Sequence, residues 1–471
     1  MKQDLFLYEK IAEDFASLIR AGTLRPGDRL PSVRQLRRQK GVSLATVLQA
    51  YSLLEDRDYV RAKPQSGYYV KARLNGLLAE PKMAPTSLHP SEVTVADLVV
   101  AISESVAHPQ IVPLGAAIPS SSYLPSAKFY RILSGLARNA TIRQRTPAPL
   151  GYEGLRQQIS RRYFDWGSNI PHHEILITCG CTESLNLCLW AVAKPGDVVA
   201  VESPTYFGML QMVQKLGMKV FEIPSHPRHG MDLNVLESAV EKQGVVACLV
   251  TPNFSNPLGT LMPDENKLRL VEIAKKHQMP IIEDGIFNDL HFSENTPKSL
   301  TAFDSEGLVL QCGSFSKTLG PELGIGWVAP GRYLKQVKSL KFANTANNAV
   351  PVQAALAEFL RHGGYQRHLR AMRRDFATNV DRFSLAIAQS FPAETKITRP
   401  QGGFVLWVEL PHHVDALDLF RRALRENISI APGPMFSARG AFKHHIRLNC
   451  GYPWSDQMGH AIKRLGELMK L

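Results

Sequence analysis

Residues 311–327 read QCGSFSKTLGPELGIGW. Lys317 sits between Ser316 and Thr318, at the end of an apolar run and inside a Gly-rich stretch. Similar runs occur at 174–178 (EILIT), 198–203 (VVAVES), 246–252 (VACLVTP), 280–284 (PIIED), 308–312 (LVLQC) and 324–330 (GIGWVAP). Several are separated by helix-length segments such as NKLRLVEIAKKHQ (266–278). Continuous apolar strands alternating with helices predict a mostly parallel sheet covered on both faces. Ligands of such sheets bind beyond the carboxyl ends of the strands. Asn256, Asp284 and Lys317 each fall just past the end of an apolar run.

The chain of 471 residues is too long for one ordinary core and predicts two or three domains. Hydrophobic content of 44% and charged content of 21% are those of a globular protein. No apolar run approaches the roughly 18–20 residues that span a bilayer, so no membrane partner is expected. The opening MKQDLFLYEKIAEDF carries acids too early for a secretory signal. Six cysteines without a CxxC pair read as reduced, mostly buried thiols, which places the protein in the cytoplasm. Net charge is +13, and residues 1–75 hold 14 Lys and Arg against 8 Asp and Glu. Nearly half the excess thus lies in a sixth of the chain. That asymmetry points to an anionic partner, most plausibly nucleic acid, with a solvated basic face as the alternative.

Near the N-terminus, Tyr8, Ile11, Phe15, Leu18 and Ile19 follow a helical period. After LRPGD, Pro31-Ser32 starts a second helix carrying Val33 and Leu36, which Gly41 ends. Ser43 is an N-cap for a third helix whose apolar face is Val47, Ala50, Tyr51 and Leu54. YVRAKPQSGYYVKA then reads as strand, turn and strand, with the turn at Pro64–Gly67. Three helices and a hairpin make a winged helix-turn-helix whose third helix enters the major groove of double-stranded DNA. Residues 5–70, with PGDRLPSVRQL, closely resemble the DNA-binding domain of the GntR family of bacterial regulators. The resemblance implies DNA contact by Ser32 and Arg34. It puts Ser43, Leu44 and Thr46 at the head of the recognition helix and Ser66-Gly67 at the wing tip. Arg34 can grip a guanine or neutralise a phosphate; Ser43 can instead only cap, and Thr46 can be merely exposed. Asp58 stands where the family usually has Gly.

Residues 73–112 lose periodicity and read as a linker, with a short amphipathic helix near VADLVVAISESV (95–106). A large domain is expected at 113–345. A smaller α+β domain follows at 346–471, helical to about 390 and then with strands in QGGFVLWVEL and HHIRLNCG.

A lysine at the mouth of a parallel sheet can form a Schiff base with an aldehyde cofactor. Pyridoxal phosphate needs that lysine, an acid at its ring nitrogen, a donor to its phenolic oxygen and an anchor for its phosphate. Lys317, Asp284 and Asn256 supply the first three. Gly180-Cys181-Thr182, between strand EILIT and helix ESLNLCLWAVA, offers backbone N–H groups at a helix N-terminus. Tyr206 stacks on the ring, and Ser314 and Ser316 are further phosphate donors. Singly these are weak signals: one lysine among 55 basic residues is usually solvated, and an Asp after a strand is often a helix cap. Together they resemble fold-type I aminotransferases in order, motif and spacing, with 28 residues from Asn256 to Asp284 and 33 to Lys317. The resemblance covers about residues 113–471. It implies that Arg447, in HIRLN, grips a substrate α-carboxylate, where the alternative is a surface salt bridge.

The whole chain looks like the MocR subfamily of GntR regulators: a mainly α winged helix-turn-helix fused to an α/β aminotransferase-like domain with a smaller C-terminal α+β subdomain. The resemblance implies a homodimer, pyridoxal phosphate and an amino-acid-like effector. The sequence also departs from the pattern. Six residues separate Lys317 from Gly324, which stands where the family's phosphate-clamping Arg belongs. Phe287 replaces a Tyr that bonds the phenolic oxygen, and Thr146 replaces a Tyr that reaches the neighbouring subunit's phosphate. Glu183 adds negative charge to the first turn of the phosphate helix. An Arg–phosphate pair is worth roughly 1.5–3 kcal/mol, so cofactor binding is weakened on the order of tenfold to a hundredfold. Three readings follow: a cofactor-dependent regulator, a regulator with a pseudoenzyme domain, or an aminotransferase with a DNA-binding accessory. The eroded phosphate corner and complete winged helix argue against the third.

Overall fold

The computed structural model describes residues 6–20, 23–24, 27–56, 59–63, 66–70, 78–87, 89, 108, 110–138 and 148–470. The expected linker helix at 95–106, Asp58, Thr146 and Pro64 lie outside the described residues. Two compact units form, residues 1–78 with 381–389, and residues 79–380 with 390–471. Among the described residues, no helix is long and apolar enough to cross a membrane. Five cysteines are buried and Cys179 is exposed, all as free thiols.

In the first unit, helices α1 (Leu7–Arg20), α2 (Val33–Lys40) and α3 (Leu44–Asp56) precede the antiparallel hairpin β1 (Val60–Lys63) and β2 (Gly67–Val70). Ser32 caps α2 by accepting the Gln35 N–H, and Gly41 ends it in the left-handed conformation at φ 65°. Ser43 caps α3 by accepting the Thr46 N–H at 3.0 Å. Val47, Ala50, Tyr51 and Leu54 are fully buried, as the helical period predicts. Leu18 is not: it is 41% exposed, while Ile11, Ala12, Phe15 and Ala16 are buried. At 100° per residue, the mean direction of those four lies about 90° around the helix from Leu18. Residues 27–30 add a third edge to the wing, through Gly27 N to Val70 O and Leu30 N to Tyr68 O. The Tyr51 hydroxyl donates to Pro31 O at 2.7 Å, tying α3 to the start of α2.

In the second unit the short strand β3 (Val112–Pro113) precedes the main sheet. That sheet contains β4 (Leu176–Thr178), β5 (Val198–Ser203), β6 (Lys219–His226), β7 (Gly230–Met231), β8 (Val245–Val250), β9 (Ile281–Asp284), β10 (Val309–Ser314) and β11 (Gly326–Ala329). Their order is β4-β11-β10-β9-β8-β5-β6-β7. Pairing is parallel from β10 through β6, and β11 is antiparallel to both its neighbours. Helices Cys181–Val192, Phe207–Lys215 and Leu334–Asn344 pack on one face, and Leu233–Gln243 and Asp264–His277 on the other. β6 is missing from the apolar runs of the sequence because Glu222 and Pro224 interrupt it. Glu222 is nonetheless buried, its carboxylate accepting from the Ser203 hydroxyl and the Ala438 N–H.

The C-terminal region adds β12 (Lys396–Ile397), β13 (Val405–Glu409), β14 (Ile428–Ser429), β15 (Ala431–Pro432) and β16 (His445–Asn449). Four of these form an antiparallel sheet in the order β12-β13-β16-β15, and β14 pairs with β3. Helix Val350–Arg361 packs on helices Ser126–Ala137 and Glu153–Asp165.

One close approach positions the site. Gly180 turns at φ 84° to start helix Cys181–Val192. A Cβ on Gly326 would lie 2.4 Å from the Gly180 carbonyl carbon, so β11 meets this turn backbone to backbone. Gly326→Ala should therefore cost roughly 1–3 kcal/mol through overpacking. Thermal unfolding of the full chain checks this, and an unchanged midpoint would contradict the contact.

Candidate functional site

Two surfaces carry the residues singled out above. On the first unit, Ser32, Arg34, Ser43 and Leu44 are exposed, and Thr46, Ser66 and Gly67 are half-buried. Ser32 and Ser43 both serve as helix caps, so capping accounts for at least one lone pair of each. At the wing, Ser66 Oγ lies 2.7 Å from the Tyr69 hydroxyl. A Cβ on Gly67 would lie 3.3 Å from Arg29 Nε, which places an exposed guanidinium against the wing tip. Arg29 was missed from the sequence because only the pairing of residues 27–30 with β2 brings it there.

On the second unit a cavity of about 510 Å³ opens beyond the carboxyl ends of β8, β9 and β10. Lys317, Asp284, Asn256, Tyr206 and Arg447 line it, together with Gly180, Cys181 and Thr182 of the helix start and Ser314 and Ser316 of the lysine loop. All ten sequence-selected cavity residues are thus brought together. Phe287 and Gly324 line it as well.

Of the cavity's charged groups, Asp284 and Arg447 are buried and Lys317 is half-buried. Lys317 Nζ donates to Ala117 O at 2.7 Å. Burial, helped by repulsion from Arg447, lowers its pKa to about 8, against the opposing pull of Asp284. Burial pushes the Asp284 carboxyl up, while the Ile286 N–H, the Cys181 thiol and Lys317 hold it down. Asp284 therefore does cap its own turn, accepting Ile286 N–H at 3.0 Å, yet it also faces the cavity. Arg447 is 1% exposed, which excludes a surface salt bridge. Its Nη2 donates to Gly115 O at 2.6 Å, while Nε and Nη1 are buried without partners. Burial lowers its pKa to about 10, which leaves it cationic at neutral pH. The free Nε and Nη1 leave this buried guanidinium able to donate to an anion such as a carboxylate. Asn256 Oδ1 is likewise buried without a partner.

The phosphate corner differs in detail from the sequence expectation. Glu183 does not oppose an anion: Lys341 Nζ lies 3.0 Å from its carboxylate, which also caps the Cys179 N–H. The charge is neutralised by a lysine 158 residues away, which no local pattern announces. Ser314 gives its proton to Ile325 O and accepts Ser316 N–H, so its hydroxyl shapes the lysine loop rather than offering a free donor. The amides of Cys181 and Thr182 head the helix, where no intrahelical acceptor exists. Gly324 is left-handed at φ 57°, and a Cβ there would meet nothing within 4 Å. Among the described residues, Lys317, Asp284 and Arg447 are the charged groups lining the cavity. Phe287 packs edge-on to Phe404 at 5.7 Å within a buried aromatic cluster. Sequence reasoning also missed Gly115 and Ala117, whose contribution is backbone carbonyls.

Lys341 is 2% exposed and Glu183 9% exposed at their side chains. Lys341→Met leaves the carboxylate without its cation and should cost about 3 kcal/mol in urea unfolding. Adding Glu183→Gln should recover part of that loss. A double-variant loss equal to the sum of the two single losses would show that the pair is not coupled.

Comparison with known proteins agrees with both halves of this description. Residues 7–70 match the model of the gntR family of bacterial regulatory proteins, and residues 127–465 match class I and II aminotransferases. The HTH-type transcriptional regulator YjiR of Escherichia coli strain K12 is 39% identical over 467 residues, covering 98% of each chain. YdcR of the same strain, also an HTH-type transcriptional regulator, is 36% identical over 98% of this chain and 99% of its own. Among solved structures, Pyrococcus horikoshii kynurenine aminotransferase, in complex with PMP, superposes with a TM-score of 0.74. It is 28% identical, over 80% of this chain and 95% of that one. The chain belongs to the GntR-type helix-turn-helix transcription regulators that carry a class I and II aminotransferase domain, the MocR arrangement.

Proposed function

We propose that this DNA-binding regulator holds pyridoxal phosphate and an amino-acid-like effector in the cavity around Lys317. In this reading it works as a cytoplasmic homodimer, with a winged helix at 1–72, a linker at 73–112, a large domain at 113–345 and a small domain at 346–471. The carrying observation is Arg447, a buried guanidinium with two unpartnered N–H groups in the same cavity as Lys317. When bound, pyridoxal phosphate supplies an aldehyde for covalent attachment and an electron-withdrawing ring. Lys317, partly neutral near pH 7, is the amine for that attachment once it leaves Ala117 O. Asp284 would hold the ring nitrogen, Asn256 the phenolic oxygen, and Cys181, Thr182 and Ser316 the phosphate. Arg447 would hold the effector carboxylate.

The ring end of the cavity fits the cofactor. The phosphate corner keeps the helix N-terminus but, among the described residues, no cation. That imbalance weakens the hold on the phosphate and supports a regulator with at most weak transaminase activity. Phe287 and Gly324 favour a second reading, in which the domain senses a carboxylate without the cofactor. In either case the ligand acts only through different affinities for two states of the regulator. DNA contact is assigned to Ser32, Arg34, Ser43, Leu44, Thr46, Ser66 and Gly67.

Titration with pyridoxal phosphate should produce a visible absorption band that Lys317→Ala abolishes. Its rate of appearance should rise with pH through about 8, as the amine loses its proton, and level off above. No band at saturating cofactor would favour the second reading. Gly324→Arg should tighten pyridoxal phosphate by roughly tenfold to a hundredfold, since the restored charged hydrogen bonds are worth roughly 1.5–3 kcal/mol. Left-handed strain of about 1–2 kcal/mol at that position falls on folding stability and is present with or without the ligand. Arg34→Ala should weaken DNA binding while leaving the band unchanged, as anisotropy and absorbance on one preparation will report.

A further inference from the structure

The recognition helix presents hydrocarbon beside the polar Gln49 at its exposed start. Leu44 is 45% exposed and Leu48 is 41% exposed, although the core of this unit is otherwise well filled by Val47, Ala50, Tyr51 and Leu54. Spaced by four residues, the two leucines stack on one face at the start of α3. The polar side chains of that first turn are engaged with each other. Ser43 Oγ and Thr46 Oγ1 lie 2.8 Å apart, and Ser43 also takes the Thr46 N–H. The remaining exposed positions near the helix start are Ala45 and Gln49.

The surroundings identify what covers these leucines. Arg34, Arg37 and Arg38 on α2 are exposed, and Arg29 lies exposed at the wing tip. Neither α2 nor α3 has an acid in its first turn. A second copy of this unit would bring like charge to like charge, whereas duplex DNA brings phosphates to the arginines. In the major groove, the hydrocarbon on a base edge is the thymine C5-methyl group. A leucine pressed on any other edge would desolvate donors and acceptors without replacing their partners.

We propose that Leu44 and Leu48 read thymine methyl groups, so that each half-site of the operator carries thymine at fixed positions beneath the start of α3. Leu48 is thereby a specificity-determining residue beyond those assigned from the sequence. Arg34 and the other arginines set affinity and register, and the leucines choose the base.

Duplexes selected from a randomised 30-base-pair pool by the full-length protein should share thymines at fixed half-site positions. Each is then replaced by deoxyuridine, which removes the methyl group and keeps every hydrogen-bonding edge. Binding measured by fluorescence anisotropy at fixed salt should weaken about fourfold per contacted methyl. In Leu48→Ala or Leu44→Ala, the difference between thymine and deoxyuridine should vanish at one position each. Both residues are exposed, so an unchanged circular dichroism melt is expected to separate this effect from misfolding, and Leu48→Met should retain the methyl dependence. Equal binding of thymine and deoxyuridine duplexes at every position would overturn the proposal. So would a change in oligomeric state in Leu48→Ala with methyl dependence intact, since the leucines would then belong to an interface between copies.

Discussion

The register between β9 and β10 is the constraint on which the large unit depends. Cys312 lies opposite Asp284 in a parallel ladder, and the lysine loop begins two residues after Cys312. A slip of one residue would turn Asp284 to the other face of the sheet and move Lys317 with its loop. The register is held from both sides: β8 pairs on β9, and β11 runs back antiparallel along β10. β11 in turn meets Gly180 at the head of the helix whose amides open into the cavity. Acid, amine and helix terminus are therefore fixed relative to one another by main chain, before any side chain contributes.

That origin explains what could be read from the sequence. Strand ends are legible because apolar runs stop where the backbone turns toward solvent, and Asp284 and Lys317 stand at such stops. Gly324 and Phe287 were visible as departures from a spaced pattern. The neutralisation of Glu183 by Lys341 was not, because it joins helices that are distant in sequence and close only after packing. The roles of Gly115 and Ala117 were invisible for a different reason: a carbonyl oxygen carries no side-chain signature. In the winged unit the apolar face of α3 was legible from its period. The exposure of Leu18 depended on where alanines let α1 approach α3.

The two halves of the chain differ in how their polar groups are satisfied. In the winged unit, hydroxyls close on neighbouring amides as caps, which leaves arginines and leucines to face outward. In the large unit, burial goes much further than satisfaction. Arg447 has two orphaned N–H groups, and Asn256 has an orphaned oxygen. Such groups are costly to leave dry. These atoms of Arg447 and Asn256 line the cavity that also has a lysine with a depressed pKa and an acid with a raised one.

Residues 115–117 contribute a carbonyl to each of the cavity's two cations, Gly115 O to Arg447 and Ala117 O to Lys317. The chain thus meets part of the hydrogen-bonding capacity of both cations itself. A molecule that takes the lysine must displace the Ala117 oxygen, whereas one that meets Arg447 at its free Nε or Nη1 leaves the Gly115 contact in place and the segment tethered at that end.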